Sequence, residues 1–443
     1  MAGNKIIEIC KKENVKFIHL QFSDLDGIVK SVEIPISQLT DTLERGKWFD
    51  GSSIEGFARI AESDMFLKPD ISTFAVIPWE VEDGVKSSRI ICDVMTPDGE
   101  PFSGDPRGIL KRNIAYAKKL GFVYNVGPEI EFFLFAKDEE NNIILEPTDS
   151  AGYFDFSSDW ASVVRKEISN AAEAMGIEIE TIHHEVSRGQ HEVDFKYCDA
   201  LRAADNVITL RFIIKAIAAR YNLHATFMPK PIFGINGSGM HVHQSLSKGG
   251  KNAFYDRLND YNLSEIARYF IAGQLKEAPG ICLILSPLVN SYKRLVPGFE
   301  APVYLSWARV NRSALIRIPR FLAKNSEAAR IELRSPDPSC NPYLAFSVML
   351  RAGLSGLEKK MEPPKPIEEN IYEMTDADRK LRNIKTLPDS LGSALKEFEK
   401  SKVAEEALGE HCFERLIESN KKEWDEYRLR VSEWEVEEYL EKY

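Results

Sequence analysis

The run Val126-Gly127-Pro128-Glu129-Ile130-Glu131-Phe132-Phe133-Leu134-Phe135 sets two carboxylates in a background of β-branched and aromatic residues, and it reads as a strand. Residues two apart on a strand share a face. Glu129 and Glu131 therefore point one way, while Ile130, Phe132 and Leu134 pack the other. A single Glu-x-Glu is ordinarily a pair of solvent-facing acids. The dense aromatics around this one argue for a strand covered on both faces. Buried carboxylates are too costly to leave unpaired, so the pattern implies bound cations.

The same two-residue spacing recurs at Gln190-His191-Glu192, His241-Val242-His243 and Glu332-Leu333-Arg334. His183-His184-Glu185 leads into the first of these through Ser187-Arg188-Gly189, a turn. Three histidines and two glutamates thus fall within ten residues. Oxygen-rich ligation with an imidazole suits Mg²⁺ or Mn²⁺. Zinc would favour more sulfur and nitrogen, and the six cysteines show no CxxC spacing. Several strands that each turn acids or imidazoles inward describe a metal-dependent enzyme.

Upstream of His241, the segment Gly234-Ile235-Asn236-Gly237-Ser238-Gly239 joins a flexible loop to a strand. Its glycines let backbone N–H groups approach an anion closely. It is neither a P-loop nor a dinucleotide fingerprint, because GKS/T is absent and no helix follows directly. Arg294, Arg309, Arg312, Arg317, Arg320, Arg330 and Arg334 crowd one region of a chain whose net charge is −11. In Ser313-Ala314-Leu315-Ile316-Arg317-Ile318-Pro319 they alternate with apolar residues, which turns them inward. Arginine binds phosphate and carboxylate in a fixed fork. Acids for metal ions plus arginines for anions describe a phosphoryl-transfer site.

The 443 residues, 44% hydrophobic and 28% charged, suffice for a sizeable core. The acidic balance argues against general nucleic-acid binding. The scattered cysteines read as reduced, mostly buried thiols. Residues 1–12 carry charges throughout and no apolar h-region, so no secretory signal is expected. The most apolar run, Ile281 to Val289, is too short to cross a bilayer. A cytoplasmic protein with no membrane contact is expected.

Val15–Gln21 and Ile28–Ile34 read as strands of a hairpin across the turn-rich Ser23–Gly27, with a short helix from Ser37 to Arg45. Strands are expected at Phe74–Pro78 and Arg89–Val94. Thr96-Pro97-Asp98-Gly99-Glu100-Pro101 through Asp105-Pro106 reads as a boundary, giving domains 1–105 and 106–443. Helices are expected at Arg107–Gly121, Ser158–Met175 and Asp199–Tyr221. The last seventy residues read as surface helices.

These segments resemble the glutamine synthetase family, type I. The likeness rests on Asp50-Gly51-Ser52-Ser53, Gly127-Pro128-Glu129-Ile130-Glu131, His183-His184-Glu185, Asn236 through His243, Lys293-Arg294-Leu295-Val296-Pro297-Gly298, Asn311-Arg312-Ser313-Ala314 and Arg330 through Asp337. It covers nearly the whole chain. The resemblance implies an α+β protein: a small N-terminal β-grasp domain, and a large C-terminal catalytic domain with a curved antiparallel sheet surrounded by helices. It implies a dodecamer of two stacked hexameric rings with active sites between subunits. The implied reaction joins L-glutamate and ammonium at the expense of ATP, through γ-glutamyl phosphate.

By the same resemblance, Glu131, Glu185 and Glu192 would hold one divalent ion, and Glu129, His241 and Glu332 a second, as Mg²⁺ or Mn²⁺. Arg294, Arg334, Asn236 and Gly237 would fix glutamate. Arg312 and Arg317 would stabilise the transferring phosphoryl group. His243, Ser245 and Glu180 would lie along the ATP pocket. Asp50 of an adjacent subunit would accept the ammonium proton, and Glu300 would sit on a shielding flap. Arg59, in Glu55-Gly56-Phe57-Ala58-Arg59, resembles the feedback arginine of the branch inhibited directly by glutamine. In that branch a nitrogen-regulatory protein can engage the C-terminus. Tyr372 falls where some relatives are adenylylated, but Met374-Thr375-Asp376 departs from the Leu-Pro-Pro that follows there, so no modification is expected.

Overall fold

The computed structural model describes residues 2–52, 54, 64–155, 160–299, 301–321 and 326–443. The N-terminal part opens with helix α1 (Ala2–Lys12). Strands β1 (Val15–Ser23) and β2 (Val29–Pro35) then pair antiparallel. The hairpin turn is held by the Asp24 carboxylate, which accepts the Ile28 N–H at 2.8 Å. A 3₁₀ turn at Ile36–Gln38 leads into α2 (Leu39–Arg45), followed by β3 (Lys47–Asp50), β4 (Asp64–Pro69), β5 (Ala75–Glu82) and β6 (Val85–Met95). These six strands form one sheet in the order β2-β1-β6-β4-β3, with β5 on β6 and a parallel β1–β6 pair at its centre. Ile18, Leu20, Ile34, Leu67, Ile90 and Val94 make its core.

The chain then enters α3 (Pro106–Lys119). Asp105 caps it, accepting the Arg107 and Gly108 N–H groups, and Pro106 stands where a helix has no use for an N–H. Next come β7 (Val123–Ala136), α4 (Ser162–Ala174), β8 (Ile179–His184), β9 (Gln190–Phe195), β10 (Cys198–Asp199), α5 (Ala200–Arg220), β11 (Leu223–Thr226), β12 (Val242–Lys248) and β13 (Lys251–Asn252). Helices α6 (Glu265–Leu285) and α7 (Ser291–Arg294) precede β14 (Tyr304–Ala308), β15 (Ala314–Arg317) and β16 (Ile331–Leu333). The ten strands form a second sheet, ordered β14-β15-β16-β12-β7-β9-β8, with β10 and β11 on β7 and β13 on β12. It is antiparallel except for β14–β15, which run parallel, so the sheet is mixed rather than wholly antiparallel.

Helix α8 (Pro342–Glu358) packs closely on α6. Gly273 and Gly356 face each other there, because a Cβ on Gly273 would lie 2.2 Å from the Ala352 carbonyl. The C-terminal helices are α9 (Asp376–Leu381), α10 (Leu391–Phe398), α11 (Lys402–Leu408), α12 (Glu410–Tyr427) and α13 (Glu433–Tyr439). They are not all surface helices, as expected from their Glu and Lys. Leu391, Ala394, Leu395 and Phe398 of α10 and Val403, Ala404, Ala407 and Leu408 of α11 are buried in the main core. Charges on their outer faces disguise a full apolar stripe. No helix among the described residues is long and apolar enough to cross a membrane. All six cysteines are free thiols, and only Cys198 is more than marginally exposed.

Candidate functional site

Strand pairing builds the site in two rows. In the first, His183 on β8 lies opposite Glu192 on β9, and Glu192 opposite Glu131 on β7. In the second, Arg317 on β15 lies opposite Glu332 on β16, Glu332 opposite His243 on β12, and His243 opposite Gly127 on β7. Glu129 stands between the rows, two residues from each on β7. Period-two alternation puts all these side chains on the same face.

Two groups result whose ligand atoms lie within 4.8 Å of one another: Glu129, His241 and Glu332, and His183, Glu185 and Glu192. Glu129 accepts from His243 Nε2 at 2.7 Å and from His241 Nδ1 at 3.1 Å. Burial works to raise Glu129, but these two imidazoles outweigh it and hold the carboxyl well below the usual range. Glu332 receives the Arg317 guanidinium, and Arg334 Nε lies 3.3 Å away in charge contact, out of hydrogen-bond alignment. Burial also works against charge on Glu332, yet His243, Arg334 and His241 keep it low.

The other acids share fewer partners: His183 Nε2 lies 3.1 Å from Glu185 and 3.5 Å from Glu192. Glu131 accepts only neutral donors, Gln190 Nε2 at 2.8 Å and the Gly239 N–H at 2.9 Å. Burial, then the Glu185 charge, push it up to about 8. Burial likewise raises Glu192 well above the carboxylate range, with Asp194 and Glu131 adding to it. Clustered acids whose charge the neighbouring side chains only partly offset fit a divalent cation: the residues present match the metal site their chemistry implies. A direct consequence is expected. Adding Mg²⁺ or Mn²⁺ to chelator-treated protein at pH 7 displaces the protons that burial holds on these acids, so protons are released. A pH-indicator titration shows this release, and it shrinks above pH 8, where Glu131 is already ionised. Metal binding with no proton release would contradict the site.

A cavity of about 240 Å³ opens here. Its lining includes Glu129, Glu131, Glu185, Glu192, His241 and Glu332, together with Asn236, Gly237, Arg294, Arg312, Arg317 and Arg334. An adjoining cavity of about 590 Å³ is lined by Glu129 again and by Glu180, His243 and Ser245. Glu129 faces both. Arg294 is buried and fixed by the carbonyls of Ser335 at 2.9 Å, Arg334 at 3.1 Å and Pro336 at 3.3 Å. Gly237 and Gly239 of the glycine loop, which line the cavity, also permit close packing. A Cβ on Gly239 would stand 2.6 Å from Arg294 Nη2, and one on Gly237 2.2 Å from the Pro229 carbonyl. Gly239→Ala is therefore expected to displace the Arg294 guanidinium and to raise the half-saturating concentration of the anion it faces by roughly tenfold, as read by substrate titration.

Asp50 lines neither cavity. It ends β3, exposed, and Ser52 holds its carboxyl below the usual range through its side chain and its N–H. Glu300 and Arg59 lie outside the described residues. The Tyr372 hydroxyl donates to the Ala301 carbonyl. Residues that sequence inspection left without a role are Gln190, Tyr153 and Phe299 in the first cavity and Tyr197 and Asp194 in the second. Gln190 and Asp194 carried a signal, because each sits two residues from Glu192.

Paired acid–histidine groups beneath a ring of arginines, with a second cavity sharing one carboxylate, define a divalent-metal enzyme that handles two anionic substrates. The chain belongs to the glutamine synthetase family. Residues 14–97 match the family's β-grasp domain and residues 103–439 its catalytic domain. It is 52% identical to glutamine synthetases of Thermus thermophilus (99% of both chains) and Thermotoga maritima (99% of this chain, all of that one). Among solved structures, it matches GmaS in complex with ADP at a TM-score of 0.88 (30% identity, 98% of this chain and 99% of that one). It matches Plasmodium falciparum glutamine synthetase at 0.87 (28% identity, 99% and 98%).

Proposed function

We propose that the first cavity receives L-glutamate and the second ATP, and that the chain makes L-glutamine from glutamate and ammonia through γ-glutamyl phosphate. The supporting observation is the placement of Glu129 on both cavities, which is where a phosphoryl group passing between two substrates must cross. A carboxylate is a poor acylating agent because it has no leaving group. Transfer of the γ-phosphoryl of ATP to a glutamate γ-oxygen releases ADP and creates one. Ammonia then forms the C–N bond as the C–O bond breaks and phosphate leaves.

Two divalent ions, Mg²⁺ or Mn²⁺, would be held by Glu131, Glu185 and Glu192 and by Glu129, His241 and Glu332. When bound they would neutralise phosphate charge and orient it for in-line transfer. Arg294, Arg334, Asn236 and Gly237 hold glutamate, with Arg294 rigid because three carbonyls fix it. Arg312 and Arg317 face the transferring group, whose charge they offset without reorganising. Glu180, His243 and Ser245 line the nucleotide cavity. Glu300 shields the acyl phosphate. Hydroxylamine offered in place of ammonium tests the intermediate: γ-glutamyl hydroxamate should form in step with ADP, and ADP formed without hydroxamate would sink it.

Asp50 is exposed and lines neither of the two cavities described in its own chain, which supports a site completed by a neighbouring copy in a dodecamer. Asp50 there takes the ammonium proton, since only neutral ammonia is nucleophilic. Coexpressing Asp50→Ala with Glu332→Ala subunits should restore about a quarter of the sites in a heterologous ring. A site that draws both residues from a single chain would restore none. The protein is placed in the cytoplasm, with glutamine feedback through Arg59 and a nitrogen-regulatory protein as its controls.

A further inference from the structure

Lys230, between Pro229 and Pro231, is 9% exposed. No carboxylate among the described residues stands within ion-pairing distance of it. Burying an ammonium without an anion is costly, so its contacts must account for it. Its Nζ donates to the Ile235 carbonyl and lies 3.9 Å from the centroid of the Phe299 ring. Its backbone is fixed on both sides by the Asn290 amide, N–H to Oδ1 at 2.7 Å and carbonyl to Nδ2 at 3.0 Å. Ile235 immediately precedes Asn236 and Gly237 on one wall of the smaller cavity, and Phe299 lies on that cavity's lining too.

We propose that Lys230 is a positioning residue for glutamate, its ammonium clamping the Asn236-Gly237 loop to the Phe299 segment and so setting the width of the cavity. The cation–π contact joins one wall and the carbonyl contact the other. Lys230 touches no substrate. This rests on the glutamate roles proposed for Asn236 and Gly237.

The test compares Lys230→Met, Lys230→Arg, Phe299→Leu and the Lys230→Met/Phe299→Leu double variant in the full assembled enzyme, with KM for glutamate and for ATP measured separately. Lys230→Met should raise the glutamate KM roughly tenfold and leave the ATP KM within about twofold. The double variant should be no worse than the larger single effect, since one contact is lost once. Lys230→Arg, which also donates and stacks, should recover most of the loss. A folded Lys230→Met with an unchanged glutamate KM, equal effects on both substrates, or multiplying effects in the double variant would overturn it. Should Lys230→Met not assemble, Phe299→Leu and Phe299→Tyr decide: only the leucine should raise the glutamate KM, and any other pattern overturns the proposal. A wild-type enzyme that makes no glutamine would instead remove the underlying reaction, not this clamp.

Discussion

Glu129→Gln is expected to lower glutamine formation at least about a thousandfold, roughly 4 kcal/mol of transition-state stabilisation. The amide keeps the shape of the side chain and one of its two acceptor oxygens, and loses the charge and one imidazole partner. That charge serves both cavities and receives His243 at 2.7 Å and His241 at 3.1 Å. The Glu129 side chain is 24% exposed, so the fold should survive, with a melting temperature within a few degrees of wild type. Added Mn²⁺ should raise that melting temperature less than it does in wild type, because the stabilisation from a bound ligand follows its affinity. Steady-state rates with thermal melts in and out of Mn²⁺ check both points. Activity within tenfold of wild type would contradict the assignment.

Arg107→Met should cost the most stability. The guanidinium is 3% exposed and bridges three acids. It reaches Asp205 of α5 through Nε and Nη2, both at 2.9 Å, Asp93 of β6 at 2.7 Å, and Asp70 just after β4 at 2.8 Å. It thereby ties the N-terminal sheet to the helices of the larger part. Asp93 retains Lys111 at 2.6 Å, but among the described residues Asp205 keeps only the Tyr343 hydroxyl as a side-chain donor, with the Arg89 charge nearby. Stranding a buried carboxylate costs about 3–5 kcal/mol, on the order of 3–5 °C in the melting midpoint of a chain this size. Arg107→Met/Asp205→Leu, which removes both buried charges, should recover part of the loss. A melting curve unchanged in Arg107→Met would show that the hub contributes nothing net.

Most of the site was legible because strands advertise themselves at a period of two. The Val126–Phe135 strand, the Glu-x-Glu face and the inward arginine at 317 follow from alternation alone, and Arg317 does meet Glu332. Alternation also explains why His183 faces the acids while its neighbour His184 turns away to Asp149 at 3.1 Å. Helices α6 and α8 were not legible. Apolar over much of their circumference, with glycines at their crossing and Pro279 inside α6, they show no clean amphipathic stripe despite their Ala and Leu. The short strands β3 and β4 gain their pairing from distant partners, so nothing local marks them. Lys230 escaped notice because its partners, Ile235 and Phe299, bear no charge. The glycines at 237 and 239 were visible, but their reason, the Pro229 carbonyl and the Arg294 guanidinium, exists only in three dimensions.

The most direct measurement follows phosphate and glutamine together, with ATP, glutamate and Mg²⁺, as ammonium, methylamine or putrescine is added. Ammonium should drive phosphate release with an equal amount of glutamine, and Glu332→Ala should abolish both. Release that answers only to the larger amines would make the chain a γ-glutamyl–amine ligase, and no turnover with any amine in the folded oligomer would deny the ligase reaction altogether.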